Sequence, residues 1–237
     1  MDTTNDYPIT PIPFYDVTVQ DAFWSPRMEV NRTVTLPYNF EKCEETGRVD
    51  NFVKAAGKMA GPHEGIHFND SDVFKVMEGA AYSLRLHDDP ELDRYLDDLI
   101  AKVASSQEED GYLYTIRTID ADAVPERVGT SRWANLKVSH ELYNVGHMYE
   151  AAVAHFLATG KRNFIDVALK NADLIVQTFG PNGIRDVPGH QMVCGISTKA
   201  RVNASPGLDV RVVLQILCDS FLPCRVMPMH RMVMLFM

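Results

Sequence analysis

His140 and His147 stand seven residues apart, so on one helix they share a face. Ser139-His140-Glu141 opens that run and sets His140 at the helix N-terminus, where its side chain can enter a cavity. A neutral imidazole offers one donor and one acceptor, a good match for a sugar hydroxyl. Two histidines satisfied by local hydrogen bonds fit the same spacing. His190 follows Val187-Pro188-Gly189, a turn that puts it at a loop tip, where binding residues concentrate. An ordinary exposed histidine would look the same.

His63 and His67, on either side of Gly65, suggest a metal site, but the tight Cys/His spacing of structural zinc is missing and no metal ligand is assigned. Asp70 and Asp72 offer a carboxylate pair for acid/base work on a glycosidic bond. Both fall in the first turn of an expected helix, where Asp caps the end and complements the macrodipole, so a structural role is favoured. Trp24, Phe68, Tyr112, Tyr114 and Trp133 lie in loops or at element ends. Such rings can stack on sugar faces or plug the ends of a helical barrel. There is no Gly-rich phosphate loop, no G-x-S-x-G elbow and no H-E-x-x-H.

These residues need elements to hold them. Residues 1–22 read as an extended lead-in: Pro8, Pro11 and Pro13 block helix, and Tyr15, Val17 and Val19 alternate like a short strand. A helix over about 27–45 follows, kinked or divided by Pro37. From Asp70 or Ser71 as cap, Val73, Met77, Ala80, Ala81 and Leu84 mark a second helix. Asp89-Pro90-Glu91 starts a third, whose apolar stripe runs from Leu92 to Ala104 and which ends at Asp110-Gly111. Residues 111–138 read as a long loop. Ser139 is the expected cap of a helix through Phe156 with Gly160 at its C-terminal end, and a last helix carries Ile165 to Phe179. Short links make antiparallel hairpins, so the fold class is all-α rather than βαβ.

The 237 residues carry 23 Lys+Arg against 32 Asp+Glu, with 46% apolar and 23% charged residues, ordinary for a globular chain. A net charge of −9 argues against a nucleic-acid partner, which needs a cationic face. No stretch is apolar for long enough to make a membrane partner expected. The polar, acidic start has no secretory pattern, and the four Cys form no disulfide framework, so a reducing, cytoplasmic setting is expected. The average hides a break: residues 1–192 hold 18 basic and 30 acidic side chains, a balance of −12, while residues 193–237 hold 5 and 2, a balance of +3. Glu150 is the last Glu, and caps and periodicity fade after Met192.

Several segments occur together in a recognisable order: Phe23-Trp24-Ser25-Pro26-Arg27, Thr46 to Phe52, Phe68 to Lys75, Asp110 to Thr115, Ser139 to His147, and Pro188-Gly189-His190-Gln191. The set resembles the N-terminal part of the catalytic domain of the β-L-arabinofuranosidases, glycoside hydrolase family 127. The resemblance covers about residues 14–192. It implies part of an (α/α)6 barrel of helical hairpins and a retaining exo-acting glycosidase ancestry. In that family the nucleophile is a zinc-bound Cys thiolate within a Glu and three-Cys set, and a separate Glu is the acid/base. The resemblance also implies substrate-binding roles for His140 and His190.

Cys194, Cys218 and Cys224 match neither of the family's ligand motifs, and no Glu follows Glu150. The expectation is therefore a lead-in over 1–22, an incomplete barrel over 23–192, and a non-homologous, disordered or frame-shifted tail over 193–237. Such a chain would hold part of a sugar pocket but no catalytic residue, no metal ligand and no cofactor of its own. Exposed helix faces would favour self-association. A non-catalytic carbohydrate-binding fragment and another (α/α)-barrel enzyme, such as a lyase using Asp72 or Tyr143, stay open as alternatives.

Overall fold

A computed structural model describes residue 12, residues 14–120, 122, 125–179, 183–186 and 188–190. The tail over 193–237 lies outside the described residues. Helix α1 (Trp24–Val30) passes through a π-turn (Asn31–Thr35) into α2 (Leu36–Glu45). Pro37 has no N–H to give the carbonyl four residues back, and its ring crowds that carbonyl. The turn before it widens, and Leu36 N–H reaches Asn31 O instead. The expected division at Pro37 thus takes the form of a π-turn just upstream.

Then come α3 (Arg48–Ala55), α4 (Asp70–Leu86), α5 (Pro90–Ser106), α6 (Thr115–Ile119), α7 (Pro125–Val128), α8 (Glu141–Thr159) and α9 (Asn163–Thr178). Among the described residues there is no strand, only an isolated parallel bridge between Phe179 and Ile184. Tyr15, Val17 and Val19 do not form the expected strand. Phe14–Asp16 is a single 3-10 turn, closed by Val17 N–H on Phe14 O at 3.1 Å, since alternation cannot make a strand without a partner edge.

The N-terminal cap of α5 and the C-terminal stop of α8 follow the sequence. The Asp89 carboxylate accepts Leu92 N–H at 3.0 Å, Pro90 occupies the first turn, and α8 stops at Gly160 in the left-handed region. Asp70 and Ser139 do not cap their helices. Asp70 lies inside the first turn of α4, 1% exposed, with its carboxylate turned across to α6: Thr115 N–H donates to it at 3.0 Å and Thr115 Oγ1 at 2.5 Å. A buried carboxylate does better binding two donors from another segment than facing its own turn. His140, not Ser139, stands at the N-cap of α8.

Two hairpins organise the molecule. Helix α4 packs lengthwise on α8, and their partners α5 and α9 touch each other, so the pairs stack in two layers. Phe52, Phe74, Leu96, Leu99, Ile100, Met148, Phe164 and Ile175 fill the space between, each 1% exposed or less. Burying one such side chain is worth about 1.5–3 kcal/mol. The segment 111–138 is more than a loop: it contains α6 and α7, and Tyr112, Tyr114, Ile116 and Val128 form a second small apolar cluster there. Helices α3, α6 and α7 are four to eight residues long, too short to show a period.

Candidate functional site

The groups with chemistry converge where three segments meet: the loop before α4, the N-terminus of α8, and the turn at 188–190. The loop is fastened by Asn51 of α3, whose side chain donates to Glu64 O and accepts Glu64 N–H, both at 2.9 Å. Asn69 Nδ2 donates to Glu64 O at 2.7 Å. That fixes His67 and Phe68. The turn is docked by Gly189 N–H on Leu136 O at 3.2 Å, which brings His190 to α8.

The His140 ring stacks on Phe68, with centroids 4.5 Å apart and planes inclined by 22°. His190 lies on it at 4.6 Å, and His67 and Tyr143 approach at 5.3 and 5.4 Å. Tyr143 also meets His190 at 5.4 Å and His147 at 4.6 Å. The Lys75 ammonium stands 5.0 Å from the centre of the Tyr143 ring. His140 and His190, the pair singled out from sequence, thus touch although fifty residues separate them.

Hydrogen bonding assigns the ring nitrogens. His140 Nδ1 lies 2.6 Å from Val138 O, and His67 Nε2 lies 3.0 Å from the same oxygen. A carbonyl only accepts, so each of these nitrogens carries the proton. His140 Nε2 and His67 Nδ1 are left as acceptors. Burial pushes the pKa of both rings down, outweighing the Val138 bonds, so both are neutral at pH 7.

Asp72 pairs with Arg48 at 3.0 Å and with Lys75 at 3.7 Å. The Asp70/Asp72 pair therefore does not form an acid/base couple: one is committed to Thr115, the other to two cations. Of the loop aromatics, Tyr112 and Tyr114 are buried and act as plugs, while Phe68 joins the histidine cluster. Trp24 packs edge-on against Phe23, away from that cluster.

His63 and His67 belong to no group of three metal-ligating side chains among the described residues. The group that does occur there, Asp93 and Asp97 of α5 with His155 of α8, went unnoticed in the sequence. Lys161 fills it: Nζ donates to both Asp93 oxygens and to Asp97 Oδ2, each at 2.7 Å. The cation this cluster needs is an ammonium from the chain itself. His155 would have been legible as the residue one heptad and one position beyond His147, but nothing local marks its partners. Lys75 was equally hidden, being indistinguishable in sequence from a solvated helix lysine.

Neutral imidazoles with open acceptors, flat ring faces and one ammonium suit a small polyhydroxyl ligand. The model of the β-L-arabinofuranosidase, glycoside hydrolase family 127 catalytic domain matches residues 16–197. The non-reducing end β-L-arabinofuranosidase of Bifidobacterium longum subsp. longum is 33% identical over 196 residues, 74% of this chain and 29% of that protein. A solved family 127 β-arabinofuranosidase superposes with a TM-score of 0.76 at 48% identity, covering 81% of this chain and 31% of that one. Ara127N-Se, a β-L-arabinofuranosidase from Geobacillus stearothermophilus T6, gives 0.75 at 36% identity, covering 84% and 32%. The chain spans less than a third of the length of each of these relatives.

Proposed function

We infer that this chain, which belongs to glycoside hydrolase family 127, the β-L-arabinofuranosidases, forms one wall of an arabinofuranose pocket and binds the sugar without hydrolysing it. Its helical hairpins are part of the family's (α/α)6 barrel. The observation that carries the reading is the His140–His190 contact at 4.6 Å, framed by Phe68 and Tyr143. His140 Nε2 would accept a hydroxyl proton, and the ring faces would pack on the sugar's C–H side.

The family's chemistry uses a zinc-bound thiolate. Among the described residues the thiol is Cys43, sealed in the core, where burial pushes its pKa up to about 11. A thiol in such surroundings is neither nucleophile nor zinc ligand at neutral pH. Asp93, Asp97 and His155 are an oxygen and nitrogen set already holding Lys161. The described residues do not fit the family's zinc, and no step is routed through it.

Calorimetric titration with L-arabinose tests this. Binding is expected for the chain, and His140→Ala is expected to weaken it by roughly tenfold or more, the value of one lost hydrogen bond plus ring contact. Unchanged affinity in a folded His140→Ala protein refutes the pocket. Hydrolysis of a chromogenic β-L-arabinofuranoside, stopped by a chelator, refutes the absence of turnover.

Among the described residues no helix is long and apolar enough to cross a membrane. Val30 at the end of α1, Val34 in the π-turn and Tyr38 in α2 are each more than half exposed, spaced four residues apart. This stripe would drive association between copies. Sedimentation velocity is expected to show a mass that rises with concentration and falls with Val34→Asp. A monomer at every concentration excludes it.

A further inference from the structure

Two residues other than glycine hold a left-handed backbone among the described residues, Trp133 at φ 66° and His140 at φ 62°. Residues with a Cβ adopt that conformation only where the surroundings enforce it. One side chain connects the two. Glu141 follows His140 directly, is 1% exposed, and its carboxylate accepts Trp133 N–H at 3.1 and 3.2 Å. It also accepts Tyr112 OH at 2.6 Å and Ser139 Oγ–H at 2.8 Å. Tyr114 OH in turn donates to Ser139 O. No cation pairs with this carboxylate in these contacts; it is held by neutral donors from two segments, Tyr112 after α5 and the stretch that carries Trp133 and Ser139.

We propose that Glu141 is the positioning residue of the sugar-binding rim. By pinning Trp133 at one end of the 133–140 segment and Ser139 at the other, it fixes where Val138 O points. That oxygen takes the Nδ1 proton of His140 and the Nε2 proton of His67. Glu141 therefore decides, through one carbonyl, that His140 presents Nε2 and His67 presents Nδ1 as bare acceptors. The rim is thereby selective for ligands that donate hydroxyl protons. It does not need to touch the sugar to do so. The proposal rests on the arabinose reading for the ligand, but the tautomer claim stands without it.

The test is long-range 1H–15N NMR of the histidine rings in the full chain, joined to L-arabinose titration. In the wild type His140 is expected in the Nδ1–H form and His67 in the Nε2–H form. Glu141→Ala, checked for folding by circular dichroism, is expected to mix the tautomers of both rings and to weaken L-arabinose binding by roughly tenfold. Glu141→Gln keeps an oxygen for Trp133 and Tyr112 and can donate to Ser139 Oγ, so it is expected to restore both tautomers and bind within about threefold of wild type. Should Glu141→Ala not fold, Tyr112→Phe keeps the ring in the core and removes one donor, and is expected to shift the same signals in smaller measure. Wild-type tautomers in folded Glu141→Ala, or in Tyr112→Phe where only that folds, overturn the proposal. A wild-type chain that ignores L-arabinose sinks the arabinose reading, while the tautomers still decide the role of Glu141.

Discussion

Gly111→Ala is expected to destabilise the chain by roughly 3–5 kcal/mol, enough to unfold a domain of marginal stability. Gly111 has φ +99°, in the left-handed region, and a Cβ there would stand 2.5 Å from Lys170 O and 2.9 Å from its carbonyl carbon. Those atoms belong to the backbone of α9, which cannot yield without breaking helical hydrogen bonds. The Gly111 carbonyl meanwhile takes Asn171 Nδ2 at 2.8 Å and Gln107 Nε2 at 3.0 Å, so the turn cannot retreat. Strain contributes about 1–2 kcal/mol and the overlap about as much again or more. Gly57 is the control: φ is +69°, but nothing lies within 4 Å of its missing Cβ. Urea unfolding of both alanine variants should show a small loss for Gly57→Ala and a large one for Gly111→Ala. Equal losses would mean that the approach to α9 is not what demands glycine.

Asp70→Asn is expected to remove a step in stability between about pH 4 and pH 6. Burial pushes the Asp70 pKa up to about 6, with Asp72 adding a like charge, against the lowering effect of the two Thr115 hydrogen bonds. A carboxyl whose pKa is higher folded than unfolded binds more protons in the native state through that window. Its contribution is therefore fully present below about pH 4 and lost as pH rises through 6, a cost of roughly 3 kcal/mol for a shift of about two units. Asparagine keeps the geometry: Oδ1 can accept Thr115 N–H, and Nδ2 can donate to Thr115 Oγ1. Denaturation at pH 4.5 and pH 7 should differ less in Asp70→Asn than in wild type. An unchanged pH profile would show that Asp70 does not titrate as a buried group.

The placement of Asp70 also marks where sequence reasoning ended. An Asp two residues before another Asp, ahead of an apolar run, is the pattern of a helix cap, and that is what the residues announced. In the structure the carboxylate serves α6 instead, a five-residue helix forty-five positions away. The same happened at Ser139. Its neighbour His140 took the N-cap because the Glu141 carboxylate, drawn into the core by Tyr112 and Trp133, pulled the backbone into the left-handed region. In both places a buried acid found donors in a distant segment, and those bonds outweighed the local cap.

The elements themselves were legible where signals were local. The Asp89 cap, the Gly160 stop, the apolar stripes of α5, α8 and α9, and the trouble at Pro37 depend on residues within one or two turns. The all-α class followed from their order, and membership of the family from the ordered motifs ending at Gln191. The pairing of His140 with His190 rested on resemblance alone, since nothing in either segment announces the other.

By itself the sequence determined the longer helices, their antiparallel pairing and the histidines worth watching, because capping, proline geometry and the 3.6-residue period act over short distances. The tertiary structure decided which of those groups are free. It spent Asp72 on Arg48 and Lys75, filled the Asp93/Asp97/His155 cluster with Lys161, sealed Cys43, and left His140 facing His190 with one nitrogen open. Each outcome depends on which donor or cation reaches a buried acceptor from another part of the chain. That is a property of packing, and no local pattern encodes it.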